Sequence, residues 1–361
     1  MKKRIASLFI LLAAGVCLYA GFDYGFDIIS FDPVHDVYLA NRNSPNLGFN
    51  YIVDYKGYPD HVWQDGRVYE LTGDRFRAKP GMAEVKIGET FTFGRNIFSF
   101  DSFLSPVRWD ILAVQGLVGI VFDGEISDLM GYDGNYFVGT ALSIADRFSL
   151  RFGMTHWCTH YGDAILKNLR PEDKAGFDSN YKYLRNNLTI GVSIEPLSWM
   201  RIYGEYQWLP DGMYLNPRHF RPSNAEHGDE VGWDSSYRAS ILDFGIELSY
   251  PIWEKLGNST LAYDLMLYEE GRIIYRDGDG YLDYPSDFKD IKPGEIYYDP
   301  KAPWLMEHSI VISQDINSYF SLEIGWHSGR SPLTSLFFIT DTQWVHVGMR
   351  FDPYLTCHTV S

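Results

Sequence analysis

Between Met154 and Ala164 the chain reads Met-Thr-His-Trp-Cys-Thr-His-Tyr-Gly-Asp-Ala, with two histidines, a cysteine, a threonine and an aspartate between positions 156 and 163. His156 and Cys158 are two residues apart, which on a strand places them on one face about 7 Å apart along the backbone. A base and a thiol at that spacing suit nucleophilic catalysis, in which the imidazole takes the thiol proton. Such a pair needs a third group to orient the ring. Asp163 is nearest in sequence, and Glu205 or Asp133 could be brought in by neighbouring strands. His160 extends the same face. A metal site on His156, Cys158 and His160 lacks a fourth ligand, so neither metal nor cofactor is expected. The plain alternative is a strand end, with histidine and threonine satisfying loop groups and Gly162-Asp163 opening a turn.

Choosing among these requires the face and the end of the element that carries them. From about residue 83 onward the sequence alternates. In 242–250 the even positions are Leu, Phe, Ile, Leu and Tyr, and the odd ones Asp, Gly, Glu and Ser. Residues 188–194, 260–267, 320–327 and 345–351 behave the same way, and a period of two is the strand signature. The segments are about ten residues long, enough for a tilted strand to cross a bilayer. Aromatics gather near their ends at Trp199, Tyr206, Trp208, Tyr250 and Trp326. Tight connections at 145–147, 196–198 and 316–318 alternate with long polar ones at 161–183, 209–237 and 271–306, as in outer-membrane barrels. The expected fold is therefore all-β, an antiparallel transmembrane β-barrel of the outer-membrane type. Eleven strands are legible, near 83–93, 109–122, 135–145, 148–160, 185–195, 199–208, 239–250, 259–269, 308–315, 319–328 and 343–351. Even strand numbers predominate in such barrels, so a twelfth is expected within 47–79.

Residues 1–20 read as a signal peptide, with Lys2, Lys3 and Arg4 before an apolar run and cleavage near Ala20. Val16 before Cys17 makes a poor lipoprotein box. Residues 21–82 are expected to be an N-terminal periplasmic or irregular segment able to contribute a strand, 83–351 the barrel, and 352–361 a tail. The implied location is the bacterial outer membrane, with its lipids and the barrel-insertion machinery as partners. The latter would read the final strand ending at Phe351. A net charge of −16 excludes nucleic acid, which needs a basic surface. Aromatics make up 16% of the chain although its mean hydropathy is polar, which suits strands with one apolar and one polar face.

In this frame the strand 147–160 rises from a tight turn to a long loop, so residues 156–160 sit at its outer-leaflet end. Phe148, Leu150, Phe152 and Met154 form a lipid-facing set, and an unbroken phase adds His156, Cys158 and His160 to it. A bulge near Thr155 would instead turn the histidines into the lumen and Trp157, Thr159 and Tyr161 outward.

The stretch 156–164 also resembles the H-x-S-S-H-x-G-D-E hallmark of a bacterial outer-membrane barrel family of unknown function. Similar residues recur in order at Phe122-Asp123, Asp128-Leu129, Asp133, 201–204, 245–247 and 329–332. Cys158 replaces the first serine of that pattern and Ala164 its last acid. The H-x-S core is further similar to outer-membrane lipid A deacylases and phospholipases, whose histidine and serine face the outer leaflet from the exterior wall. That resemblance implies a lipid acyl hydrolase using His156, Cys158 and His160, with Asp163 or Glu205 as orienting acid. The serine-to-cysteine change pulls the other way, and on sequence alone a non-enzymatic barrel, structural or narrow channel, is marginally favoured. Its lumen would be lined by Lys86, Gln115, Arg201, Glu205, Asp243, Glu247, Asp264, Glu323, His346 and Arg350. A soluble, secreted β-sandwich is the third possibility.

Overall fold

A computed structural model describes residues 22–56, 61–64, 67–70, 81–123, 128–163, 167, 169, 171–174, 182–208, 240–253, 256–269, 273–277, 280–282, 296–298, 304–329 and 342–351. The signal-peptide, cleavage-site and C-terminal-tail expectations fall outside these residues. The strands are Phe22–Ser30 (β1), Leu47–Lys56 (β2), His61–Gln64 (β3), Arg67–Glu70 (β4), Met82–Phe100 (β5), Val107–Asp123 (β6), Leu129–Ile144 (β7), Phe148–Tyr161 (β8) and Lys182–Leu197 (β9). They continue as Met200–Trp208 (β10), Ser240–Tyr250 (β11), Ser259–Glu269 (β12), Ile273–Asp277 (β13), Gly280–Leu282 (β14), Ile296–Tyr298 (β15), Trp304–Asn317 (β16), Phe320–Gly329 (β17) and Thr342–Phe351 (β18).

Twelve of these close a ring in the order β2, β5, β6, β7, β8, β9, β10, β11, β12, β16, β17, β18 and back to β2, each pair antiparallel. The strand sought within 47–79 is β2. Closure satisfies the backbone groups of every strand in the ring, which is the condition for a sheet to sit in hydrocarbon. β3–β4 and β13–β14–β15 are small separate sheets in the long connections. A closed ring excludes the two-sheet sandwich.

The alternation in sequence becomes inside and outside. Phe152, Ile190, Ile194, Phe244, Leu261, Ile312, Ile324 and Val347 are exposed apolar side chains on the outer face. The inner face buries Asp243, Asp264, Glu205, Glu307, Thr155, Asn187 and Ser309. A polar interior within an apolar exterior is the inverse of a soluble protein and identifies a transmembrane barrel. The aromatics at strand ends, Trp199, Tyr206, Tyr250 and Trp326, are exposed on the outer face.

Residues 31–46 do something that the strand pattern does not signal. They leave β1, enter the barrel and return to begin β2. Within the lumen Val34, His35, Tyr38, Ala40, Asn41, Arg42 and Ser44 are buried. Tyr38 stacks on Tyr203 with ring centroids 3.8 Å apart, under the guanidinium groups of Arg151 and Arg201. Arg201 also donates to the carbonyls of Asp36 and Val37 at 2.6 and 2.7 Å. The segment occupies the middle of the lumen, and at the short-turn mouth lies a cavity of about 630 Å³ bordered by Asp32, Asp36, Arg201, Glu247 and Arg350.

Candidate functional site

β8 pairs residue for residue with β7, from Phe148 opposite Ile144 to Tyr161 opposite Gly131, and with β9 from Phe148 opposite Ile194 to His160 opposite Lys182, without a register shift. No bulge interrupts Thr155, so the phase stays unbroken. Thr155, Trp157 and Thr159 are buried inside, Trp157 donating its indole N–H to Gln207 at 3.0 Å and Thr159 its hydroxyl to Asp133 at 2.8 Å. His156, Cys158 and His160 therefore point outward, at the long-loop end of the strand.

The outward face around them is built from three strands. His156 lies opposite Tyr136 on β7 and Asn186 on β9. Its Nδ1–H donates to Asn186 Oδ1 at 2.7 Å, and its ring stacks on Tyr136 with centroids 6.1 Å apart. With Nδ1 donating, the lone pair of the neutral ring is on Nε2, the nitrogen able to act as a base. His160 stacks on Tyr132 at 4.3 Å. Cys158, half-buried and not in a disulfide, lies opposite Gly134. A β-carbon on Gly134 would fall 2.6 Å from Cys158 Sγ and 2.5 Å from a ring carbon of Tyr136. Only the absence of a side chain there lets the thiol and the phenol ring share the space. The result is a thiol, a base and a ring-orienting carboxamide on the wall that faces lipid.

Three residues expected in the orienting role are placed elsewhere. Glu205 is on β10, buried in the lumen, where it accepts from Arg151 Nε at 2.7 Å and from Gln207 at 2.8 Å. It is on the opposite side of the wall from His156 and two strands away, so it cannot hold that ring. Asp133 likewise faces inward, on Thr159. Asp163 is exposed beyond the end of β8 and is not the partner of His156. Asn186 takes that place. It was recoverable in principle, since the alternation that turns Leu188, Ile190, Val192 and Ile194 outward also turns Asn186 outward. The signal is a polar residue in the lipid-facing phase of a neighbouring strand, an amide rather than the acid that such a triad usually carries.

The lumen residues named from sequence fall as expected: Lys86, Gln115, Glu205, Asp243, Asp264 and His346 are buried inside. Arg201 pairs with Glu247 at 3.3 Å and Arg350 with Glu323 at 3.5 Å.

No family model and no curated protein sequence matches the chain. Among solved structures it is similar to the NanC porin, at 11% identity and TM-score 0.39, covering 85% of this chain and 99% of that one. It is similar to outer membrane phospholipase A from Escherichia coli at 10% identity and TM-score 0.43, covering 86% and 94%. It is also similar to the COG4313 outer membrane channel from Pseudomonas putida F1, at 11% identity and TM-score 0.34, covering 89% and 98%. At these identities the likeness is one of barrel architecture and assigns no role.

Proposed function

We propose that the protein is a lipid acyl hydrolase of the outer membrane, with its site on the exterior wall in the outer leaflet. The observation that carries this is the 2.7 Å contact from His156 to Asn186, made on the same lipid-facing surface as Cys158. Ring nitrogens facing hydrocarbon are costly to keep there and are rarely retained without use. Cysteine, histidine and an amide form a catalytic set of known competence, with the amide holding the imidazole in the useful tautomer. In the proposed reaction, Nε2 of His156 takes the Cys158 proton as the sulfur attacks an acyl ester carbonyl. The acyl group passes to sulfur as a thioester, and the lipid's alkoxide leaves with the proton returned by His156. Water, deprotonated by the same nitrogen, then releases the fatty acid and regenerates the thiol.

This reading displaces the marginal preference for a non-enzymatic barrel for two reasons. The orienting group missing from the sequence account is present as Asn186, and the lumen that would serve as an open pore is occupied by residues 31–46. The signal peptide, outer-leaflet lipids as substrate and insertion through the strand ending at Phe351 belong to the same proposal. The test is fatty-acid release from mixed lipids by purified protein. Wild type should release fatty acid, and His156→Ala and Cys158→Ala should each abolish it. Release that survives both substitutions, or no release by the wild type from any outer-membrane lipid, would refute the reading.

A further inference from the structure

β1 and β2 lie along one edge of β5. β1 pairs with residues 92–100 and β2 with residues 82–86, so the two form a single strand line interrupted by residues 31–46. None of the ladder bonds that close the ring belongs to that interruption. The segment can therefore leave the lumen towards the short-turn mouth without opening the barrel, and the 630 Å³ cavity lies on its way out.

Besides the Arg201 bonds to the Asp36 and Val37 carbonyls and the Tyr38–Tyr203 stack, its contacts with the far wall are donors set on carboxylates. The Leu39 backbone N–H donates to Glu247 at 2.6 Å, the Asn41 amide donates to Asp243, and Arg42 lies 4.0 Å from Glu307. These carboxylates, with Glu205 and Asp264, are on the consecutive strands β10, β11, β12 and β16. The segment meets an acidic wall with donors and a cation, as a positively charged solute would. The returning leg rests on Gly88, where a β-carbon would fall 2.7 Å from the Asn46 nitrogen and 2.9 Å from Pro45 Cα.

We propose that residues 31–46 are a displaceable plug and that the lumen beneath it is a cation-selective pore. Acidic linings select cations because a passing cation replaces part of its hydration with carboxylate oxygens. With the plug seated, Leu39, Asn41 and Arg42 meet Glu247, Asp243 and Glu307, while Glu205 is held by Arg151 and Asp264 by Tyr203. With it withdrawn, Asp243 and Glu307 lose their plug partners, and the five carboxylates of Glu205, Asp243, Glu247, Asp264 and Glu307 outnumber the two wall arginines paired with them, Arg151 and Arg201, so the wall attracts small cations and amines. This activity is independent of the exterior site, which lies on the other face of the wall.

The test is single-molecule conductance in planar bilayers with a potassium chloride gradient, each protein first shown folded by heat-modifiable migration. Wild type should be nearly silent at neutral pH. Two variants should conduct with a reversal potential of cation sign: a deletion of 31–46 bridged by a short glycine-serine linker, and Gly88→Ala, which crowds the returning leg while leaving the ring intact. A folded deletion variant that is silent or anion-selective overturns the proposal. Should the deletion not fold, Gly88→Ala decides in combination with Ala40→Cys and Ala262→Cys, positions that share one buried cluster, in a Cys158→Ala background. Oxidation to the disulfide should silence Gly88→Ala, and reduction should restore its current. Silence of Gly88→Ala when reduced, or conductance unchanged by the tether, overturns the plug.

Discussion

Asn186 has no charge and no acid chemistry, yet it is the residue on which the site's competence turns. Its carboxamide holds His156 through Nδ1, so Asn186→Ala leaves the thiol and the base in place and removes only the orienting contact. We expect that substitution to lower kcat by about 10- to 100-fold with KM little changed. His156→Ala and Cys158→Ala should cost on the order of 10³-fold or more, in keeping with loss of a base or nucleophile. Steady-state fatty-acid release at several lipid fractions separates the two parameters, and a change in KM alone would assign Asn186 to packing instead. Gly134→Ala should also impair the site, since the added carbon would displace Cys158 Sγ or Tyr136, both within 2.6 Å of it. His156 and Cys158 were legible from their types and spacing. Their partner was not, because i, i+2 spacing describes one strand, whereas the residue across the ladder depends on register.

At the level of the element, β8 shows how a period of two sorts one sequence onto two solvents. Met154, near its midpoint and exposed on the outer face, and Trp157, 3% exposed within the lumen, are only three residues apart. Met154→Arg should destabilise the barrel by about 2–4 kcal/mol, the range for a cation on the lipid face near midplane. Trp157→Ala should cost about 3–5 kcal/mol by leaving a cavity and removing one of the two donors to Gln207 Oε1. Urea unfolding in lipid vesicles measures both. A direct check on the phase is a fluorophore on Cys158, which spin-labelled lipids should quench, against one on Thr159→Cys in a Cys158→Ala background, which they should not, both with Cys357→Ser. Equal quenching at the two positions would refute the alternation. The strands themselves were readable because apolar side chains recur at every second position over ten residues. Periodicity alone allows a bulge near Thr155, and the continuous β7–β8 and β8–β9 registers exclude it.

For the whole molecule, the plug links the lumen to pH through two groups of opposite sign. His35 is 2% exposed, bonded to Tyr38 at 2.6 Å and to Ser149 at 2.9 Å, and its pKa is held well below the ordinary value by burial and then by the cations of Arg151 and Arg201. A withdrawn His35 would titrate near ~6.5, so its contribution to seating is complete above that pH. The contribution falls as pH drops, by up to about 1.4 kcal/mol per unit. Asp36 is pushed up to about 6 by the protein crowded around its carboxyl at the mouth, against the pull of Arg201. Its protonated form therefore favours seating, an effect present at low pH and lost as pH rises through about 6. Asp36 is exposed at the mouth, so solvent screens it and its slope is the smaller. Asp36→Asn should leave a plug that loosens as pH falls below 6.5, and His35→Gln one that seats more firmly from pH 6 towards 4. Hydrogen exchange of residues 31–46 reads both, and a wild-type profile unchanged by either substitution would remove the two groups from the account. Local periodicity and turn length suffice for the barrel, its approximate strand number and the two faces of most strands, but the outward turn of His156 and Cys158 needed the continuous registers of β8. Only the tertiary structure decided that Asn186 rather than Glu205 meets His156, and that residues 31–46 fill the lumen. Both depend on which groups meet across ladders and across the bore, and such contacts between residues far apart in the chain leave no periodic trace in it.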